Sequence, residues 1–248
     1  MASKGFTVNA ILSCLPAYAN DDDDITIIAG NDKRVVIPTL RQQLDDNGKP
    51  RLALADFINP AAPDSTPDDY IGIFAVSTGT PMQKLIDNIA ATDEYRGLIY
   101  RTVADRLAEA ATEASHRSAL HDWGYDHAAD NSDNGNGGNG DACQNQGANA
   151  VNLTDLDLDL HSIRPAVGYP SLPDQSLIFV LDDILDFSQV DMRPTDTGAL
   201  NPPASTAGLI ILNPQARYFV IGKIGDDQRT AYLNRHPLQR PDQARFLP

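Results

Sequence analysis

Residues 162–174 read SIRPAVGYPSLPD, with prolines at 165, 170 and 173 and a glycine at 168. Each proline pins φ and removes a backbone donor, while glycine opens turn conformations that other residues resist. Neither a helix nor a central strand tolerates that spacing. The stretch is either an ordered loop or a disordered linker, and any fold must be assembled around it. Its only cation, Arg164, stands directly before the first proline.

The 248 residues suffice for one sizeable domain or two small ones. No apolar run approaches the roughly 20 residues that span a bilayer. An apolar patch after Lys4 is broken by Asn9 and Ser13 and followed by four aspartates, a poor match to a secretory signal. The two cysteines, Cys14 and Cys143, are too far apart in sequence to suggest a disulfide framework and suit a reducing cytoplasm. A formal net charge of −15 argues against non-specific nucleic-acid binding and against docking on anionic membranes, because both need a basic face.

Residues 8–15 (VNAILSCL) and 25–28 (ITII) read as strands separated by a solvated acidic turn, Asp21–Asp24. The run DYIGIFAVSTG (69–79) reads as a buried strand closed at Gly79. From Met82 to about Asp122 the period becomes helical. Leu85, Ile86 and Ile89 share a face, and Leu98, Ile99, Val103, Leu107 and Ala110 recur at three- and four-residue steps, which predicts a core-facing stripe. A break with an N-cap is expected at Thr92–Asp93. Between about Ala128 and Ala150 the composition collapses into Asn, Gly and Asp, a segment expected to be disordered or a mobile surface loop. Further on, ASTAGLIIL and RYFVIGKI flank Asn213-Pro214-Gln215 and predict an antiparallel hairpin. Short helices are expected at Asp226–Arg235 and Asp242–Leu247.

Several motif matches fail on context. Gly135, Gly137 and Gly140 satisfy a dinucleotide fingerprint by count, without the strand and helix it requires. The aspartates at 21–24 lack the ligand spacing of a calcium loop. Asn152-Leu153-Thr154 is a glycosylation sequon by letter alone. His116, His121, His127, His161 and His236 form no recognisable triad or ligand set, and Asp159-Leu160-His161 is followed by Arg164 where a corrin-binding motif needs glycine. No metal site and no catalytic nucleophile are predicted.

Six stretches in chain order carry a resemblance: LADF (54–57), DYIGIFAV (69–76), ADRLAEA (104–110) with WGY (123–125), IRPAVGYPSLPD (163–174), NPPASTAGLIIL (201–212) and ARYFVIGKIGDDQ (216–228). Together they resemble the S-adenosylmethionine-binding activation domain of cobalamin-dependent methionine synthase. The resemblance implies an α+β fold, a curved antiparallel sheet flanked by helices, with residues 1–248 forming one such domain that carries the insert at 128–150. It implies reductive methylation of inactive cob(II)alamin, with an electron from a flavodoxin-like donor and a methyl from S-adenosylmethionine. Cobalamin is then held by a separate cobalamin-binding module, the setting is cytoplasmic, and the domain supplies position rather than an acid or base.

The resemblance also assigns a site. Arg164 suits the ligand carboxylate or sugar hydroxyls through its planar fork. Gly168 admits close backbone approach, and groups around Ala166 face the adenine edge. Tyr169, Tyr218 and Phe219 offer aromatic faces or a hydroxyl, and Glu109 faces the ammonium. The residues alone also permit plainer roles: Glu109 as a solvated helical acid, Arg164 bound to an acidic neighbour, one of Tyr218 and Phe219 in the core, and Trp123 in packing.

Relative to that family, the chain begins at its Leu15–Asn20 turn. An N-terminal helical segment with a further ligand contact is therefore expected to be missing, leaving an exposed apolar patch. Thr195-Asp196-Thr197-Gly198-Ala199-Leu200 stands where the family has T-E-S-F-A-M. The acidic charge would repel an acidic electron donor over about 8–10 Å. The competing function is a non-catalytic interaction or ligand-sensing module, or a decayed methionine synthase fragment.

Overall fold

The computed structural model describes residues 6–43, 48, 50–60, 67–124, 162–238 and 247. Their β-branched and apolar runs pair into a five-stranded antiparallel sheet in the order β3-β2-β1-β4-β7. The strands are β1 (Asn9–Ala19), β2 (Asp24–Ala29), β3 (Lys33–Pro38), β4 (Asp69–Ser77) and β7 (Ser205–Ile211). A short ribbon of β5 (Arg193–Pro194) and β6 (Leu200–Asn201) precedes β7. Four α-helices are described: α1 (Gly79–Ala90), α2 (Glu94–Asp122), α3 (Leu177–Leu185) and α4 (Asp226–Arg235).

β4 organises the core. It pairs with β1 from Ser77 opposite Asn9 to Asp69 opposite Ala17, and with β7 on its other side. Successive side chains of a strand point to opposite faces. Ile71, Ile73 and Ala75 accordingly pack in one cluster with Leu177, Ile178 and Leu181 of α3. Phe74 and Val76 pack on the other face with Ile210 and Trp123. Burial on both faces explains the unbroken apolar run, and Trp123 is a packing residue.

The break between α1 and α2 falls where the sequence places it, with the Asp93 carboxylate accepting the Arg96 N–H at 3.0 Å. The expected core stripe of α2 is overturned. Leu98, Ile99, Val103 and Leu107 are 57%, 43%, 49% and 40% exposed, and form an apolar strip with Tyr95. The buried face instead carries Gly97, Ala104, Ala108, Thr112, His116 and Ala119. Small side chains let the helix lie close against α1 and the sheet, which turns the large periodic residues outward.

The hairpin expectation is also corrected. β7 pairs with β4 on one edge, and its other edge is taken by residues 163–167. With both edges occupied, RYFVIGKI has no strand to join. It runs along the proline loop instead, with Ile221 N–H donating to the Pro170 carbonyl at 3.1 Å and Ser171 Oγ–H to the Phe219 carbonyl at 2.9 Å. Nor is the acidic turn wholly solvated. Asp24 is buried, its carboxyl pushed up by burial against the opposing pull of Arg235, whose Nε lies 3.0 and 3.1 Å from its oxygens.

The helix at Asp226–Arg235 forms as expected. No helix among the described residues is long and apolar enough to cross a membrane. The segment 128–150, the sequon at 152–154, His127, His161 and the body of the helix expected at 242–247 lie outside the described residues.

Candidate functional site

The proline loop is ordered because an edge strand holds it. Ile163 exchanges hydrogen bonds with Ile211 at 3.1 and 2.8 Å, the Pro165 carbonyl accepts from Leu209 N–H at 3.0 Å, and Val167 N–H donates to the Ala207 carbonyl at 3.0 Å. Pro165 has no donor to offer, but only its carbonyl is needed at this register. The chain then reverses, with Gly168 N–H donating to Leu172 O at 2.8 Å and Tyr169 N–H to Ala166 O at 3.2 Å. Gly168 has φ +87°, where a side chain is strained, and an added Cβ would also strike the Gln175 side chain. Gly208 on β7 has a different reason: a Cβ there would strike Pro165 O and the Ala166 backbone. Only glycine lets the loop lie this close.

Seated in this way, the loop forms one wall of a groove of about 840 Å³. α2 forms the facing wall, and residues 200, 203–207 and 218–220 complete it. The volume lies within the roughly 300–1,000 Å³ typical of small-molecule sites. Phe74, Ala108, Ala166 and Ile178 supply apolar lining, and Asp105, Glu109, Thr112 and Arg164 are among the polar groups.

Arg164 is held from behind by α2. One guanidinium nitrogen, Nη2, pairs with Glu113 Oε2, and Nη1 lies 3.3 Å from His116 Nδ1. The other Glu113 oxygen accepts from Arg117 Nε at 3.0 Å. Burial pushes the Glu113 carboxyl up, but the pull of Arg164 and Arg117 outweighs it and holds the group below the usual carboxylate range. His116 is 2% exposed, and burial, reinforced by the Arg164 charge, lowers its pKa to about 4. Its Nε2 lies 3.0 Å from Ser162 Oγ.

Tyr218 is 59% exposed, and its hydroxyl oxygen accepts the Arg164 backbone N–H at 2.9 Å, leaving the phenolic proton for the groove. Tyr169 is 60% exposed at the rim. Phe219, its neighbour in sequence pointing the other way, packs against Phe57 with ring centroids 6.3 Å apart and reaches the groove by one side. Glu109 projects from α2 and pairs with Arg106 at 2.6 Å on an exposed face.

Residues 1–137 and 143–237 match the family model described as vitamin B12 dependent methionine synthase, activation domain. The chain belongs to this family. A crystal structure of the MetH reactivation domain bound to AdoHcy is similar to this activation domain with a TM-score of 0.73 and 29% identity, over 94% of this chain and 67% of that one. The fold is therefore the α+β arrangement implied by the motifs, an antiparallel sheet flanked by helices.

In the activation domain, six of the seven expected site residues meet at one groove: Glu109, Arg164, Ala166, Tyr169, Tyr218 and Phe219. Gly168 does not line it, and shapes the turn beneath instead. Sequence reasoning missed Glu113 and His116. Their signal was spacing: Glu109, Glu113 and His116 stand at i, i+4 and i+7, which places them on successive turns of one helical face.

Proposed function

We propose that this activation domain binds S-adenosylmethionine in the groove and positions its methyl group for reductive methylation of cob(II)alamin. The observation that carries the reading is a guanidinium fixed against a carboxylate-bearing helix at the margin of a partly apolar groove of the right volume. The ligand has matching chemistry: a carboxylate, two cationic centres and a flat base. The AdoHcy named with the similar domain is that ligand without its methyl.

Arg164 takes the carboxylate or a sugar hydroxyl, with charge-assisted hydrogen bonds. Glu109 exchanges its exposed partner Arg106 for the ammonium. Tyr169 and Tyr218 offer ring faces, and the Tyr218 hydroxyl donates. The Ala166 carbonyl keeps one lone pair beyond its bond to Tyr169. When bound, the ligand would supply an electrophilic methyl to the reduced corrinoid of a partner module and would leave as S-adenosylhomocysteine. No side chain of the domain need transfer a proton. Holding the methyl in one orientation lowers a bimolecular barrier by removing freedom beforehand.

The cobalamin belongs to a separate methionine synthase module and the electron to a flavodoxin-like donor, both in the cytoplasm, and residues 1–248 act as one domain. Titration calorimetry tests the reading. Saturable S-adenosylmethionine binding is expected, weakened about a hundredfold in Arg164→Ala by loss of charge-assisted hydrogen bonds. Absence of saturable binding at millimolar ligand overturns it.

A further inference from the structure

Two of the three guanidinium nitrogens of Arg164 are engaged by α2. Glu113 Oε2 engages Nη2, and His116 Nδ1 lies within hydrogen-bond reach of Nη1. A guanidinium only donates, so Nδ1 must be the acceptor and the ring proton must sit on Nε2. That proton points at Ser162 Oγ, 3.0 Å away. The tautomer is thus fixed by the donor-only guanidinium, the Ser162 hydroxyl being able to accept the Nε2 proton, and a protonated ring would have no lone pair for Arg164.

The carboxylate of Glu113 is divided between two cations, one oxygen to Arg164 and one to Arg117. Two positive charges about one negative charge leave the cluster at a net +1. Glu113 therefore orients Arg164 without cancelling the charge that an anion would seek. Two of the five guanidinium N–H groups are used by α2, and three remain.

We propose that Glu113 and His116 are positioning residues that preset the Arg164 guanidinium for the anionic end of its ligand. This rests on the reading of the groove as an S-adenosylmethionine site. Neither residue lines the groove, so neither touches the ligand. Their effect runs through Arg164, whose long side chain would otherwise lose rotamer freedom on binding.

Calorimetry of the full chain with S-adenosylmethionine reads the effect. His116→Leu and Glu113→Gln are each expected to raise Kd about tenfold, the loss of one charge-assisted partner. His116→Asn places an amide oxygen near the Nδ1 position and is expected to keep Kd within about twofold, since one acceptor replaces another. Wild-type affinity in His116→Leu overturns the proposal. So does a His116→Asn variant as weak as His116→Leu, because then any change of ring would matter. Absent wild-type binding refutes the ligand reading, and the positioning claim is then decided without ligand. Nitrogen-resolved NMR of the His116 ring must show the Nε2–H tautomer, and Arg164→Ala must perturb it. A ring protonated on Nδ1 overturns the claim, whatever the fate of the leucine variant.

Discussion

The two ends of the proline loop are tied down by the same residue types and do opposite things. At its start, Ser162 and Arg164 meet His116 and Glu113 of α2 at the margin of the groove. At its end, Asp174 is closed in by Ser176, Tyr232 and His236, all 1% exposed or less. Asp174 Oδ1 accepts from the Ser176 hydroxyl at 2.7 Å and backbone N–H at 2.8 Å. Its Oδ2 accepts from the Tyr232 hydroxyl at 2.7 Å and lies 3.1 Å from His236 Nε2. Leu238 N–H donates to the other ring nitrogen, Nδ1, at 3.1 Å, which puts the ring proton on Nε2. Ser, His and Asp thus converge without solvent access, so the cluster resembles a catalytic triad in composition only. Every strong donor at the sealed end finishes on protein. At the open end Arg164 and Tyr218 line the groove, with guanidinium N–H groups and a phenolic proton that none of these contacts among the described residues takes up. What separates a fastener from a candidate binding site here is unspent hydrogen-bonding capacity, not residue identity.

The largest expected effect tests the sealed end. Asp174→Ala strands a tyrosine hydroxyl, a serine hydroxyl and a histidine in the core, and is expected to cost about 3–5 kcal/mol. Urea denaturation measures it. Arg164→Ala, at the partly exposed end, is expected to cost no more than about 1 kcal/mol in the same experiment. Equal losses would abolish the distinction between the two ends.

A second effect is pH-dependent and belongs to His116. Its folded pKa of about 4 lies below the ordinary value of 6.5, through burial and the charge of Arg164. Between those values the unfolded chain binds the proton and the folded chain does not, so this residue's contribution falls as pH drops. The loss begins near the upper value, is complete near the lower, and totals on the order of 3 kcal/mol. Glu113 adds to it at lower pH, because its depressed pKa contributes stability that disappears as pH falls through the folded value. His116→Asn removes the titrating ring and is expected to flatten the stability curve in this window. An unchanged slope would show that His116 is not the buried neutral base described.

Much of the architecture was legible because it rests on local chemistry. Asp93 is a capping residue by type, and β4 is recognisable by its apolar run. The errors came from long-range competition. The second half of the supposed hairpin lost its place because the loop at 163–167 occupies the edge of β7, a contact that no local pattern encodes. The α2 stripe misled because large residues dominate a hydrophobic period, whereas the buried face is built from Gly97, Ala104 and Ala108. In the groove, six of the seven residues singled out on the recognisable motifs come together, Gly168 excepted. Glu113 and His116 were passed over because a helical acid and an isolated histidine look ordinary until the fold brings Arg164 beside them.

Gly208 ties the sheet to the open end. Gly208→Ala places a methyl against Pro165 O and Ala166, where backbone rather than a flexible tip must yield. Overpacking of this kind costs about 1–3 kcal/mol. Because the displaced segment carries Arg164, ligand affinity is expected to fall along with stability, read by calorimetry and denaturation on one variant. A stability loss with unchanged affinity would detach the loop's seat from the site.

The smallest effect is the sharpest test of unspent capacity. The Tyr218 hydroxyl accepts the Arg164 backbone N–H at 2.9 Å and keeps its own proton for the groove. Tyr218→Phe removes both roles while preserving the ring. Since the N–H lies at a partly exposed position and water can replace the lost acceptor, stability is expected to fall by no more than about 1 kcal/mol. Affinity for S-adenosylmethionine is expected to fall about fivefold to tenfold, because the ligand loses a neutral donor and Arg164 loses a backbone tether. The proportion between the two measurements carries the meaning. A residue of the sealed kind would lose stability first, as is expected of Asp174, and change affinity only as the fold fails. A fall in stability of several kcal/mol for Tyr218→Phe with affinity intact would move this tyrosine from the open end of the loop to the sealed one.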